Sequence, residues 1–245
     1  MAIKIQTLDE AIEDNGLKIL VHGPAGVGKT VLSATANAPT LIVSAEAGLL
    51  SLRGAPKHID VTTVKTIDDL EDVYSFMLEE GINKYKWLNL DSISEIAEVL
   101  LSEEKAKSND PRKAYGTLQD EIAKIIRRFR DLPHINVLMT AKQQRFTDEY
   151  TGITTMIPSF PGTKLPQQVA YWFDEVFALR VMTDEEGVEY RALQTDRDVT
   201  YEAKDRSGML GKYEKPSLEY IYDKIHGRLP EKEEAVEESA EEAEG

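Results

Sequence analysis

Short apolar runs alternate with longer stretches of helical period along this chain, and that alternation sets the expected elements. Leu17, Ile19, Leu20 and Val21 form the first run, residues 40–44 (Thr-Leu-Ile-Val-Ser) the second and the β-rich residues 59–64 the third. Residues 66–80 place Ile67, Leu70, Val73 and Met77 on one helical face. A further strand over 87–91 closes on an acid, Asp91. The spacing then predicts a helix over 92–107, with Ser92 as its cap and Ile93, Ile96, Ala97, Leu100 and Leu101 facing a core. Ser108-Asn109-Asp110-Pro111 breaks it. From 113 to 132, Tyr115, Leu118, Ile122, Ile125, Ile126, Phe129 and Leu132 keep helical period, while Arg127, Arg128 and Arg130 cluster near the end. Those arginines read as a solvated face or a complement to the helix dipole, with a DNA or subunit contact as the alternative. Residues 135–140 form the next buried strand, and residues 143–163, rich in Gly, Thr and Pro, read as a long loop of functional interest. A helix over 165–172, strands near 175–181 and 188–194, and a helix over 217–225 behind Pro216 complete the pattern.

Strands interleaved with helices imply an α/β fold with a mostly parallel sheet and helices on both faces. Ligands of such sheets sit at the carboxyl ends of the strands. At 245 residues the chain suits one such domain, here residues 1–229, followed by an acidic tail over 230–245. That tail carries eight Glu against one Lys, seven of the fifteen net negative charges, so it reads as disordered. It is either a solubilising extension or an acidic segment that competes with DNA or recruits a basic partner. The absence of Cys excludes disulfides and thiolate chemistry, and His22, His58, His134 and His226 are too scattered for a metal cluster. With no signal-like start and no apolar run of membrane length, a cytoplasmic location with no membrane partner is the expectation.

One segment carries chemistry outright. Residues 23–30 read Gly-Pro-Ala-Gly-Val-Gly-Lys-Thr, a complete G-x-x-x-x-G-K-[ST] phosphate loop, directly after the first apolar run. Converging donors around a triphosphate need backbone without side chains in the way, which is what Gly23, Gly26 and Gly28 supply. Lys29 adds a point charge for the β and γ phosphates, and Thr30 offers a hydroxyl to Mg²⁺. A helix beginning there aims its positive end at the phosphates. Gly23, Pro24, Ala25, Gly26, Val27, Gly28, Lys29, Thr30 and Val31 are therefore the expected nucleotide contacts, with ATP and Mg²⁺ as ligands.

Phosphoanhydride hydrolysis also needs an acid for the metal, a group to orient water and positive charge for the departing phosphate. Asp91 resembles the Walker B acid and, with Thr30, is the candidate metal residue; a helix-capping Asp is the plainer reading. Glu46, in Leu-Ile-Val-Ser-Ala-Glu-Ala-Gly-Leu, resembles the water-activating Glu of RecA-like ATPases, against a simple loop carboxylate. Lys142 stands at the sensor position, with Gln143 beside it as the alternative. Lys204 and Arg206, two apart on an extended segment, point the same way. They resemble the Lys-x-Arg fingers of the RecA, RadA and KaiC group, which enter a neighbouring subunit's site; a solvated basic turn is the alternative. These features, together with Ser94, Tyr115 and Gly116, resemble the phage-type AAA/RecA-like P-loop ATPases that include the Sak-group single-strand annealing proteins, over roughly residues 15–228. Ser44, Asn89 and Lys142 depart from that pattern.

The resemblance implies a homo-oligomeric ring or filament, fingers acting in trans, and single-stranded DNA on the loops after the acid-bearing helix and after the sensor strand. Lys105, Lys107, Arg112 and Lys113 lie on the first; Arg145, Phe146, Tyr150, Phe160 and Lys164 on the second. Aromatics beside cations suit single strands. The implied function is ATP hydrolysis coupled to strand annealing or pairing in phage recombination or replication. The alternative is an ATP-gated module or loader that recruits a single-strand-binding protein or helicase and turns over little. A small-molecule kinase would need an arginine-rich lid, and the 143–163 segment offers only Arg145, with acidic neighbours.

Overall fold

The computed structural model describes residues 5–46, 48–107 and 110–229. The acidic tail, and with it the expectation of disorder there, lies outside the described residues. A helix that the apolar pattern does not announce comes first: α1 (Leu8–Asn15) starts at a capping box in which Thr7 Oγ1 accepts from the Glu10 amide and the Glu10 carboxylate accepts from the Thr7 amide. Then follow β1 (Lys18–His22), the short α2 (Lys29–Ser33), β2 (Thr40–Ser44), β3 (Ile59–Thr63) and α3 (Ile67–Phe76). A wide helical turn over 77–81 joins α3 to α4 (Ile82–Lys84), so the single helix expected over 66–80 is compound. Next come β4 (Trp87–Asp91), α5 (Ile93–Lys107), α6 (Pro111–Arg130) and β5 (Asn136–Ala141).

Residues 143–163 are not a loop. They form a two-stranded antiparallel hairpin, β6 (Gln143–Thr147) and β7 (Thr154–Pro158), that is separate from the main sheet. Its turn is made by Asp148, whose carboxylate accepts from the amides of Tyr150 and Thr151, with Gly152 in the left-handed region at φ 69°. Then come α7 (Lys164–Gln168), a tight turn over 169–172, β8 (Glu175–Thr183), β9 (Glu189–Gln194), β10 (Lys204–Asp205), β11 (Tyr213–Glu214) and α8 (Leu218–Ile225).

The main sheet has nine strands in the order β11-β9-β8-β1-β5-β4-β2-β3, with β10 also paired to β8. From β8 to β3 the neighbours run parallel, and β9, β10 and β11 are added antiparallel. Alternate residues bury opposite faces. Leu20, Leu88, Leu90, Val137, Met139 and Val176 join α3, α5 and α6 in one core, whereas Ile19, Val21, Leu138, Phe177 and Leu179 join α2 and α8 in the other. Helices thus cover both faces. Among the described residues, no helix is long and apolar enough to cross a membrane.

Polar groups inside this frame hold elements in place. Asn89, odd in an apolar strand, donates its amide to the Ser33 carbonyl at 2.7 Å and so anchors the end of α2. The three arginines near the end of α6 are engaged within the chain. Arg128 pairs with Glu71 at 2.6 Å and lies over Tyr74, Arg127 lies over Trp172, and Arg130 donates to the Trp172 carbonyl. They staple helices rather than forming a free basic face. Where β10 meets β8, Asp205 and Glu175 are register partners. Burial, then the charge of Asp205, push the Glu175 carboxyl up to about 8. Its protonated form therefore contributes stability that is complete below the ordinary carboxylate range and is lost as pH rises towards 8. Raising the pH from 5 to 8 should lower the melting temperature of the wild type by about 3 °C more than that of Glu175→Gln, the equivalent of roughly 1 kcal/mol. Parallel slopes for the two proteins in thermal melts would contradict this.

Candidate functional site

Three parallel strands end around one cavity. β1 delivers the turn at 23–28, β2 delivers Glu46 just past its end, and β4 ends on Asp91. Gly23 is forced by close approach, since a Cβ there would stand 2.8 Å from the Leu179 carbonyl oxygen of β8. Gly26 and Gly28 have φ of 76° and 108°, conformations that L side chains rarely adopt. α2 starts at Gly28 with no side-chain cap, which leaves its first amides to a ligand. The cavity holds about 520 Å³, and Lys29, Thr30, Glu46, Asp91, Leu179 and Arg191 line it. Ala25, Gly26, Val27, Gly28 and Val31 also border it.

Lys29 Nζ donates to the carbonyls of Gly23 and Pro24, both at 2.9 Å. Burial lowers its pKa, opposed by Glu46 and Asp91 and reinforced by Lys142. The ammonium occupies the mouth of its own loop, where phosphate oxygens can replace the two carbonyls. Asp91 is buried and accepts from two hydroxyls, Thr30 Oγ1 at 2.6 Å and Thr140 Oγ1 at 2.5 Å. It is therefore not the cap of α5. Ser92 takes that role, accepting from the Glu95 amide while its hydroxyl donates to Glu46 Oε1 at 2.5 Å. A hydroxyl joined to a carboxylate beside a phosphate cradle is a hard oxygen donor set, which fits Mg²⁺. Among the described residues no cluster of three or more His, Asp or Glu could hold a metal by itself.

The later candidates are placed differently. Lys142 turns away from the loop: its Nζ pairs with Glu95 at 2.7 Å and Glu98 at 2.9 Å on α5. Burial pulls its pKa down, but those two hydrogen bonds outweigh it and raise the net value. Gln143 lies nearer the loop's strand, facing His22. That imidazole is fully buried, burial lowers its pKa to about 4, and its Nε2–H donates to the Glu202 carbonyl at 2.7 Å. His22 thereby links the phosphate-loop strand to the segment that carries the basic pair.

Lys204 and Arg206 do not project together. Lys204 Nζ donates to the Ala170 carbonyl at 2.9 Å and to that of Phe173, closing the turn before β8, and burial then the Arg206 charge lower its pKa. Arg206 stays exposed and pairs with Asp174 at 2.6 Å. Strand alternation does aim two such residues alike, but the carbonyls ending the 169–172 turn capture the nearer cation. Sequence reasoning missed Thr140, the second donor to Asp91, and Arg191, whose Nε donates to the Val27 carbonyl at 2.9 Å. No local signal marks either, because each reaches the loop only through strand pairing.

This fold and this loop define a P-loop nucleotide-binding protein of the ATPase class. The chain belongs to the AAA domain family, whose model matches residues 15–207. No curated protein sequence matches it. A solved structure described as a prototypical ATPase from the type III secretion system of pathogenic bacteria is similar at 16% identity and a TM-score of 0.47, covering 67% of this chain. The chain spans about half (52%) of that protein's length. The sheet order and the loop, not this likeness, carry the argument.

Replacing Lys29 by Ala should weaken nucleotide binding by roughly 10- to 100-fold, about 1.5–3 kcal/mol for a lost charge-assisted contact. Titration with a fluorescent nucleotide reads this directly, and an unchanged Kd would contradict the assignment.

Proposed function

We propose that the protein binds MgATP, hydrolyses it, and couples that cycle to single-stranded DNA in recombination or replication, of the phage type that the sequence resembles. The observation that carries the ATPase part is the convergence of Lys29, Thr30, Asp91 and Glu46 on one cavity, with Asp91 already hydrogen-bonded to Thr30. When nucleotide enters, Lys29 exchanges two loop carbonyls for phosphate oxygens. Thr30 and Asp91 would hold the Mg²⁺, which supplies charge against the phosphate oxygens. Glu46 is the group that polarises water; one of its oxygens is held by Ser92, which leaves the other for a water proton. Charge from a neighbouring copy in a ring or filament comes, in this reading, from Arg206 alone. Its pair with Asp174 is exposed and cheap to exchange, whereas Lys204 is committed inside the chain.

The DNA part is supported by the β6–β7 hairpin. Tyr150 at its tip is fully exposed, Arg145 lies on β6 and Tyr171 is exposed nearby, which suits stacking beside charge. Its base is tied to the nucleotide site. Ser94, two residues past Ser92, donates to the Ser159 carbonyl and accepts from the Lys142 amide. The first basic stretch supports DNA less, because Lys107 pairs with Glu104 and Lys105 lies over Tyr115. A second reading has its own support. Ser92 holding Glu46, and Lys204 half-buried and bound to backbone carbonyls, also suit an ATP-gated module that recruits a single-strand-binding protein or helicase with little turnover.

ATP turnover measured with and without single-stranded DNA separates the two. The first reading gives stimulation that Tyr150→Ala reduces and that rising salt erodes. Glu46→Gln should keep nucleotide affinity and lose at least about 100-fold in turnover. Wild-type turnover in Glu46→Gln, or none in the wild type, would contradict the hydrolytic reading; equal rates with and without DNA would contradict the coupling.

A further inference from the structure

We infer that Arg191 is a nucleotide-binding residue supplied in cis, a second cation for the phosphate chain on the side of the loop away from Asp91 and Glu46; this rests on the P-loop reading above. β8 and β9 form an arm that outruns the parallel sheet. Strand β1 ends at His22 opposite Ala178, whereas Val181, three residues on, still pairs with Arg191. At about 3.4 Å per residue the arm overhangs the loop by roughly 10 Å at that pair. Its inward face is set by period two. Leu179 and Leu193 are register partners, both buried in the core that also contains Val27 and Leu32. Arg191, two residues before Leu193, shares that face and so lies against the loop.

The contacts agree. Nε donates to the Val27 carbonyl at 2.9 Å, and Cδ and Nε lie 3.7 Å from where a Gly28 Cβ would stand. Those two residues immediately precede Lys29. Among the described residues Arg191 has no carboxylate partner, and its terminal nitrogens make no hydrogen bond, although the surface nearby offers Glu189 and Glu185 in sequence. An always-charged fork with four unused N–H donors, braced at Nε and bordering the cavity, is suited to phosphate oxygens. Placement across the sheet supports the same occupant. Strand order puts β9 on one flank of β1 and the acid-bearing β4 and β2 on the other. Carboxylates thus stand on the metal side, and a guanidinium stands opposite, where no carboxylate among the described residues pairs with it.

The test compares wild type, Arg191→Ala, Arg191→Lys and Lys29→Ala for affinity towards ADP and towards inorganic tripolyphosphate, at low and high salt. The expected result is about tenfold weaker binding of both ligands by Arg191→Ala, partial recovery with Lys, and a shallower dependence on salt than the wild type shows. The melting temperature of the ligand-free protein should stay within about 2 °C of the wild type, since an exposed side chain is removed. Unchanged affinities in Arg191→Ala, or a loss confined to ADP, would overturn the phosphate contact. Full wild-type affinity in Lys29→Ala would instead overturn the P-loop reading itself. Loss in Lys29→Ala with none in Arg191→Ala overturns this inference alone.

Discussion

The two hydroxyl hydrogen bonds to the buried Asp91 carboxylate are the constraint on which the site depends. Thr30 comes from the helix after the phosphate loop and Thr140 from β5, the strand that lies between β1 and β4. A buried carboxylate is costly unless its oxygens are satisfied, and here each oxygen takes one hydroxyl. The arrangement fixes the distance between the loop and the acid across an intervening strand. It also holds the Thr30 hydroxyl against the Asp91 carboxylate, so that two hard oxygen donors stand side by side at the end of the loop.

Around that pair the sheet sorts charge. Strands β2 and β4 carry Glu46 and Asp91 to one flank of β1, while the β8–β9 arm carries Arg191 to the other. Lys29 sits on loop carbonyls, Glu46 on the Ser92 hydroxyl and, outside the cavity, Arg206 on Asp174. Each of these partners is a neutral group or an exposed acid, so each is exchangeable. Lys142 and Lys204 are instead held outside the cavity, the first by two carboxylates of α5 and the second by the carbonyls of Ala170 and Phe173. A shared layer of hydrogen bonds through Ser94, His22 and Glu202 connects these groups to the hairpin and to β10.

Much of the frame was legible in the sequence because it rests on local rules. The loop declares itself through three glycines, a lysine and a threonine, and the runs at 40–44 and 87–91 are strands because every position in them is buried. The periodicity of 93–101 and 118–129 gives α5 and α6. What was not legible depends on long-range pairing or on polar turn chemistry. The 143–163 hairpin hides behind a polar composition, and its register comes from the Asp148 turn, not from an apolar alternation. α1 is nucleated by a capping box in a polar segment. The fates of Lys142 and Lys204 were decided by acids and carbonyls on elements far away in sequence. Arg191 was invisible for the same reason, its partner Val27 lying 164 residues earlier.

The central claim is that the turn between β1 and α2 grips the phosphates of a nucleotide. A crystal structure with Mg²⁺ and a nonhydrolysable ATP analogue tests it most directly. The account predicts phosphates within residues 23–30, with Lys29 Nζ moved off the Gly23 and Pro24 carbonyls onto phosphate oxygen and the metal beside Thr30 and Asp91. An analogue bound elsewhere, with Lys29 still closing its own loop, would contradict it.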